Sequence, residues 1–221
     1  MERRCDWYDL RRFTDGKCDT MTEDELAVAW DQCEKAFEQH EKELKHRAIE
    51  TAWKRLCPPL YRATVLEELP SKDKFEEVQE WKYGRVGLIV LGSSRTGKTR
   101  SVWKLLERLH FEGKEIIAFT PMMLKLAVAT VWQDTETAED WICSLHRADV
   151  LFFDDLDTVK FTEAVEETIY DVFEHRPTHG KPVIATVNQS GVQLARRMNA
   201  TGRGVKIVER MREFCQVINF S

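Results

Sequence analysis

The chain is short of the features that would place it in a membrane, outside the cell, or on nucleic acid through bulk charge. No run reaches the roughly 18 apolar residues of a membrane-spanning helix. The leading segment MERRCDWYDLRRFTDGK carries charge where a secretory leader needs an apolar stretch, so the chain is expected to stay in the cytoplasm. Six cysteines (Cys5, Cys18, Cys33, Cys57, Cys143 and Cys215) include no C-x-x-C pair, and free thiols in a reducing compartment are the expectation. There is no net positive charge. The balance of −5 removes a global field that would drive the chain onto nucleic acid, leaving only local basic patches for that role. Internal repeats and low-complexity tracts are missing too. What remains, 221 residues of which 43% are hydrophobic, suffices for one ordinary domain with its own core and an extension.

Two patterns divide the sequence. Between Thr22 and Leu56 the residues Leu26, Trp30, Cys33, Phe37, Leu44, Ile49, Trp53 and Leu56 recur at mostly helical spacing, behind a Thr22–Glu25 capping-box pair. This predicts one long helix, or two broken near His40, stopped at Pro58-Pro59. Residues 1–20 are polar and weakly patterned, and 58–73 read as a linker with a short helical piece. Lys74 to Tyr83 reads as a helix stopped at Gly84. Beyond it, apolar runs at 87–92, 115–120, 149–155, 182–188 and 215–220 read as strands. They alternate with helical stretches at Arg100–Phe111, Met122–Trp132, Trp141–His146, Thr162–His175, Val192–Met198 and Val205–Arg212. Strands alternating with helices predict an α/β fold with a parallel sheet and crossover helices. The expected division is an N-terminal helical extension and linker over 1–73 and the core over 74–221.

The most informative segment is GSSRTGKT, from Gly92 through Ser93, Ser94, Arg95, Thr96, Gly97 and Lys98 to Thr99, with Arg100 following. It fits G-x-x-x-x-G-K-[ST], and an apolar strand leads in while an amphipathic helix leads out. Glycines let the backbone curl so that successive N–H groups face phosphate oxygens, and the helix start adds its positive dipole end. Lys98 is expected to reach the β- and γ-phosphates of ATP, and the Thr99 hydroxyl to ligate Mg²⁺. Arg95 stands at a loop position where small residues are common, and would either crowd the phosphates or add positive charge to them.

A phosphate loop needs a carboxylate for its metal. FFDD at 152–155 supplies two at the end of an apolar strand, the end at which open α/β sheets bind ligands. Asp154 is the expected Mg²⁺ partner through water, and Asp155 the general base that polarises the attacking water. Asp157 reads as a turn residue or helix cap. The next strand, PVIATVN, ends at Asn188, placed to orient the water or sense the γ-phosphate. From Arg196 to Arg212 the basic residues Arg196, Arg197, Arg203, Lys206, Arg210 and Arg212 are opposed within the segment only by Glu209. Arginine's planar donor fork suits a γ-phosphate, supplied to a neighbouring copy as an arginine finger, or a nucleic-acid backbone.

Taken in order, GSSRTGKT, FFDDLD, ATVN and VERMREFCQVINF resemble the DnaC/IstB group of AAA+ ATPases, which includes helicase loaders and transposition helpers and is related to the initiator DnaA. The resemblance covers residues 75–221. It implies a three-layer P-loop core, Lys98 and Thr99 as the Walker A pair, Asp154 and Asp155 as Walker B, and Asn188 as the first sensor. It also implies Arg210 as a finger completing a neighbour's site by self-association. Arg176 resembles an arginine common in that group. The chain runs only 11 residues past Arg210, which implies no C-terminal helical lid and weak nucleotide binding by a lone subunit.

The resemblance further implies a replicative helicase of the DnaB type as partner, gripped by residues 22–56 with Trp30, Phe37 and Trp53 as anchors. DNA, single-stranded by preference, would meet Ala195–Arg212 together with Arg100, Lys104 and Arg108. Zinc is a further candidate for Cys5, Cys18, Cys33, His40 and His46, although their spacing fits no standard module. The expected activity is ATP hydrolysis in DNA replication. Rival readings are a transposition helper on duplex DNA, a small-molecule kinase, and an interaction protein whose P-loop binds but hardly turns over.

Overall fold

The computed structural model describes residues 5–131 and 135–220. The chain forms two compact units, Met1–Arg55 and Leu56–Ser221.

In the first unit, helix α1 (Trp7–Phe13) lies within the segment that the sequence leaves weakly patterned. Its signal is local. Asp6 and Asp9 form a reciprocal capping box, with Asp9 N donating to Asp6 Oδ1 at 2.9 Å and Asp6 N to Asp9 Oδ2 at 3.1 Å. Helix α2 (Glu23–Leu56) is a single element of 34 residues with no break at His40. The expected Thr22–Glu25 box starts it, Thr22 N donating to Glu25 Oε2 at 2.8 Å. A small core joins Leu10, Ala29 and the thiols of Cys5, Cys18 and Cys33, with Met21, Leu26 and Trp30 packed on it. Cys33 Sγ stands 3.2 Å from Cys5 Sγ. His40 and His46 lie exposed farther along α2, two and nearly four turns from Cys33, so the five residues considered for zinc do not assemble. Among the described residues no three metal-ligating side chains gather. Of the three aromatic anchors only Phe37 is exposed; Trp53 is buried at 4%, and Trp30 packs on the small core and against Trp7 at 6.1 Å between ring centroids.

The second unit opens with α3 (Pro59–Arg62) and α4 (Lys72–Glu80). Five strands follow: β1 (Gly87–Leu91), β2 (Ile116–Phe119), β3 (Val150–Phe153), β4 (Val183–Val187) and β5 (Cys215–Asn219). They make one sheet in the order β2-β3-β4-β1-β5, parallel at every pairing. The helices between them are α5 (Lys98–Phe111), α6 (Pro121–Val131), α7 (Thr135–Arg147), α8 (Glu163–Thr178), α9 (Gly191–Arg197) and α10 (Gly204–Phe214). The expected end of the sixth helix at Trp132 falls outside the described residues.

Side-chain alternation on the strands builds two cores. Leu151 and Phe153 point into the cluster that α6, α8, α9 and α10 cover, with Ile169, Phe173, Leu194, Ile207 and Met211. Phe152 points to the other face and meets Trp103 of α5 edge-on at 5.6 Å. This is a three-layer α/β arrangement. It brings the carboxyl ends of β1, β3 and β4 side by side, with β4 between the other two.

Candidate nucleotide site

The turn after β1 is built by glycine at two points. Gly92 has φ +154°, and a Cβ there would sit 2.8 Å from Phe220 Cβ, so no other residue fits where β1 passes β5. Gly97 has φ +97° and ends the loop at the start of α5, whose first N–H groups have no acceptor within the helix. Between them Arg95 adopts φ +68°, a left-handed conformation that costs a non-glycine residue on the order of 1 kcal/mol. Its side chain is exposed at the lip of the cleft rather than wedged into the loop.

Lys98, in contrast, is 4% exposed. Its ammonium donates to the carbonyls of Gly92 (2.7 Å) and Ser93 (2.8 Å) and to Asn188 Oδ1 (3.1 Å). Burial lowers its pKa, and the charges of Asp155, Asp157 and Asp154 oppose that shift. Thr99 Oγ1 donates to Asp154 Oδ1 at 2.8 Å, and Thr186 Oγ1 on β4 donates to the same oxygen at 2.7 Å. Burial raises the Asp154 pKa against these two hydrogen bonds. Asp155, at φ +43°, is turned off the strand axis; its N–H donates to Thr186 Oγ1 at 2.7 Å, and its carboxylate accepts from Asn188 Nδ2 at 3.4 Å.

Thr99, Asp154, Asp155, Asn188 and Lys98 thus converge from three elements, as the motif reading expects. The hydroxyl of Thr99 and the carboxylate of Asp154 are hard oxygen donors at one point, a set that suits Mg²⁺ completed by phosphate and water.

Asp157 is more than a turn residue. It is 2% exposed, and its Oδ1 accepts both the main-chain N–H of Asn188 (3.0 Å) and its Nδ2 (3.2 Å), fixing the side chain that meets Lys98. Sequence reading also passes over the far wall of the cleft. Residues 61–70, read as linker, line a cavity of about 390 Å³ together with the phosphate loop, Asp155 and Asn188. Tyr61, Val65, Leu69 and Pro70 supply an apolar surface there. Tyr61 stacks on Trp103 at 5.9 Å, and Arg100 ties the segment down by donating to Leu60 O and Thr64 Oγ1, both at 3.3 Å. The composition of PPLYRATVLEELPSKD gives no periodic signal for this wall; Tyr61 and the prolines are the only hint.

Other expected contacts resolve differently. Arg210 does not line this chain's own cleft. Its guanidinium grips Glu174 on α8 bidentately (2.7 and 2.9 Å) and also reaches Glu213 at 2.7 Å, contacts that raise its pKa. Two of the six basic residues of 196–212 are paired to α8, where Glu167 meets Arg203 at 2.9 Å and Glu174 meets Arg210. Arg108 and Lys104 are partly exposed and already engaged within the chain. Arg108 donates to Trp81 O at 2.7 Å beyond the end of α4 and pairs with Glu112, while Lys104 pairs with Glu107. Arg176 is wholly buried. It donates to the carbonyls of Leu145, Asp149 (3.2 Å) and Pro182 (3.0 Å), and burial pulls its pKa down to about 10. It stitches α8 to the ends of α7 and the starts of β3 and β4.

A buried phosphate-loop lysine, a Thr–Asp pair and a polar strand tip on a parallel three-layer sheet are the arrangement that a P-loop nucleotide site requires. The fold is similar to that of solved DnaC, DnaI and DnaA structures. The solved DnaC helicase loader aligns with TM-score 0.56 at 18% identity, covering 77% of this chain and 99% of that one. DnaI aligns at 0.56 and 18%, covering 75% and 92%. AMPPCP-bound DnaA from Aquifex aeolicus aligns at 0.57 and 16%, covering 74% and 51%. The chain spans about half the length of the AMPPCP-bound DnaA chains it matches. No family model and no curated protein matches the sequence. Among the described residues no helix is long and apolar enough to cross a membrane.

Proposed function

We infer that the chain is a Mg²⁺-dependent ATPase that loads a replicative helicase. The observation that carries the reading is the convergence of Lys98, Thr99, Asp154, Asp155 and Asn188 beneath a cleft whose opposite wall is made by Tyr61, Val65, Leu69 and Pro70 with Glu68 among them. In this reading the triphosphate lies along the loop, with Lys98 exchanging its carbonyl partners for phosphate oxygens. The base rests on the 61–70 wall. Thr99 and Asp154 hold the metal, which supplies charge neutralisation at the phosphates. Asp155 accepts the proton of the attacking water, and Asn188 orients that water. The DnaC helicase loader and a DnaA bound to AMPPCP and single-stranded DNA share the fold and support this reading.

Arg210 completes the site of a second copy in this account. Its bidentate hold on Glu174 keeps the guanidinium extended and ordered before assembly, and it must leave that carboxylate to reach a phosphate. Self-association and turnover therefore rise together. The N-terminal unit, with Phe37 exposed on α2, is the surface assigned to a hexameric helicase of the DnaB type. Co-purification with such a helicase, followed by transfer of the helicase to a closed single-stranded circle, tests the assignment. ATP-dependent capture and release support it; phosphate transfer to a small acceptor, or helicase-independent binding of duplex DNA with a transposase, would replace it.

A further inference from the structure

Two thiols of the first unit meet inside its small core, where the proposed ATP chemistry makes no use of them. Cys33 on α2 donates its S–H to Cys5 Sγ at 3.2 Å, across 28 positions of sequence. Both side chains are 4% exposed. Leu10 and Ala29 share their cluster, and Met21, Leu26 and Trp30 pack on it. A disulfide needs the sulfurs to close to roughly 2 Å, a movement of about 1 Å shared between the two side chains. Cys18, the third thiol of the cluster, is buried as well, but its sulfur meets Asp19 Oδ1 at 3.9 Å. The cluster therefore presents one thiol pair and one thiol engaged elsewhere.

The segment that carries Cys5 is the more weakly held of the two. Helix α1 buries Leu10 fully, while Trp7, Tyr8 and Phe13 stay exposed, and beyond Leu10 it meets α2 through the Trp7–Trp30 ring contact. Elements with few buried apolar contacts open first, so α1 lifts from α2 at a smaller cost than global unfolding. In the closed unit, burial and the Cys33 contact push the Cys5 thiol up to about 12, which keeps it protonated and inert. Opening returns Cys5 to solvent, where it reacts as an ordinary thiol. We propose that Cys5 and Cys33 form a reversible disulfide that clasps α1 onto α2 when the surrounding thiol pool becomes oxidised. The oxidant is a small-molecule disulfide. The Cys5 thiolate attacks one of its sulfurs, which releases one small thiol and leaves a mixed disulfide on Cys5. On closure the Cys33 thiolate attacks the Cys5 sulfur, forms the protein disulfide and releases the second small thiol. Two protein thiols are oxidised and one small disulfide is reduced to two thiols. Each departing thiolate takes up the equivalent of the proton that its attacker gave to water. A reducing compartment keeps the pair as thiols. In that state α1 can lift and bare the flank of α2 that carries Leu26, Ala29 and Trp30; the clasp keeps this flank covered.

The test equilibrates the full chain with glutathione buffers of rising disulfide fraction. Remaining thiols are then blocked with N-ethylmaleimide under denaturing conditions, and the chain is digested without reduction for mass spectrometry. A peptide pair joined from Cys5 to Cys33 is expected, with Cys18 and Cys57 recovered as blocked thiols and the exposed Cys143 carrying glutathione. The squared glutathione concentration divided by that of its disulfide, at the point where the pair is half oxidised, should be at least about tenfold higher for the folded chain than in concentrated urea. Hydrogen exchange across the peptide that spans α1 should slow at least about tenfold on oxidation and recover on reduction. Cys33→Ser should abolish both the cross-link and the slowing, and Cys5→Ser, which lies outside α1 and α2, takes its place if Cys33→Ser does not fold. A cross-link from Cys5 to Cys18 in place of Cys33 overturns the clasp. So does half-oxidation at the same point in urea, or exchange across α1 that oxidation leaves unmoved.

Discussion

Lys98 Nζ stands 3.1 Å from Asn188 Oδ1, across 90 positions of sequence and from the start of α5 to the tip of β4. This contact ties the phosphate-binding cation to the strand tip that lies between the phosphate loop and the acidic strand. Lys98→Ala is expected to abolish ATP binding in calorimetry. Asn188→Ala is expected to leave ATP affinity within about threefold and lower kcat about 10²-fold, the range for loss of a group that acts on the attacking water. Equal effects of the two variants on affinity would contradict the division of roles.

Asp154 and Asp155 are adjacent but separable. Asp154 shares its Oδ1 between Thr99 and Thr186, whereas Asp155 meets Asn188. Asp154→Asn should raise the Mg²⁺ concentration needed for half-maximal hydrolysis at least tenfold. Asp155→Asn should leave that concentration unchanged and lower kcat by about 10²–10⁴-fold, as loss of a general base does. A Mg²⁺ titration of hydrolysis distinguishes them.

Arg210 is held by Glu174 within its own chain. Glu174→Gln weakens that hold and is expected to raise hydrolysis at low protein concentration. Arg210→Ala should suppress hydrolysis at every concentration without loss of ATP binding. Hydrolysis per subunit measured across a hundredfold range of protein concentration reads both effects, and concentration-independent activity untouched by Arg210→Ala would remove the arginine from the site.

Arg176→Met deletes the donor for four carbonyls, of Leu145, His146, Asp149 and Pro182, and should cost at least about 2 kcal/mol, since each buried acceptor left unpaired costs about 1–3 kcal/mol. Chemical denaturation gives the number. A loss below about 1 kcal/mol would mean that water replaces the guanidinium.

His146, His175 and His179 stack face to face, with centroids 3.7 and 4.0 Å apart. Burial lowers the His175 pKa below its ordinary 6.5, and the neighbouring His146 and His179 add to the shift. The unfolded chain therefore takes up the proton first as pH falls. Stability from the neutral ring is complete above the unfolded pKa and declines below about 6.5 toward the folded pKa. Melting temperature should drop between pH 7.5 and 5.5, and His175→Phe should shrink that drop. An identical drop in the variant would assign the acid sensitivity elsewhere.

The sheet, the phosphate loop and the acidic pair were legible because each depends on local signals. Apolar runs closed by Gly92 or Asp154 mark strands, and G-x-x-x-x-G-K-T fixes its own turn. Asp157 and the 61–70 wall were not legible, because their roles come from contacts across 31 or more positions that no periodicity encodes. The pairing of Arg203 and Arg210 within the basic stretch 196–212 was not legible for the same reason: their counter-charges, Glu167 and Glu174, lie on another helix. Helix α1 was missed because seven residues with one fully buried side chain, Leu10, leave almost no periodic trace.

The central claim is that this cleft hydrolyses ATP through Lys98. Phosphate release measured with Mg²⁺ and with EDTA, on the native chain and on Lys98→Ala, tests it most directly. Mg²⁺-dependent release by the native chain alone is the predicted result. Release that survives Lys98→Ala, or no release by the native chain across a hundredfold range of protein concentration, would contradict it.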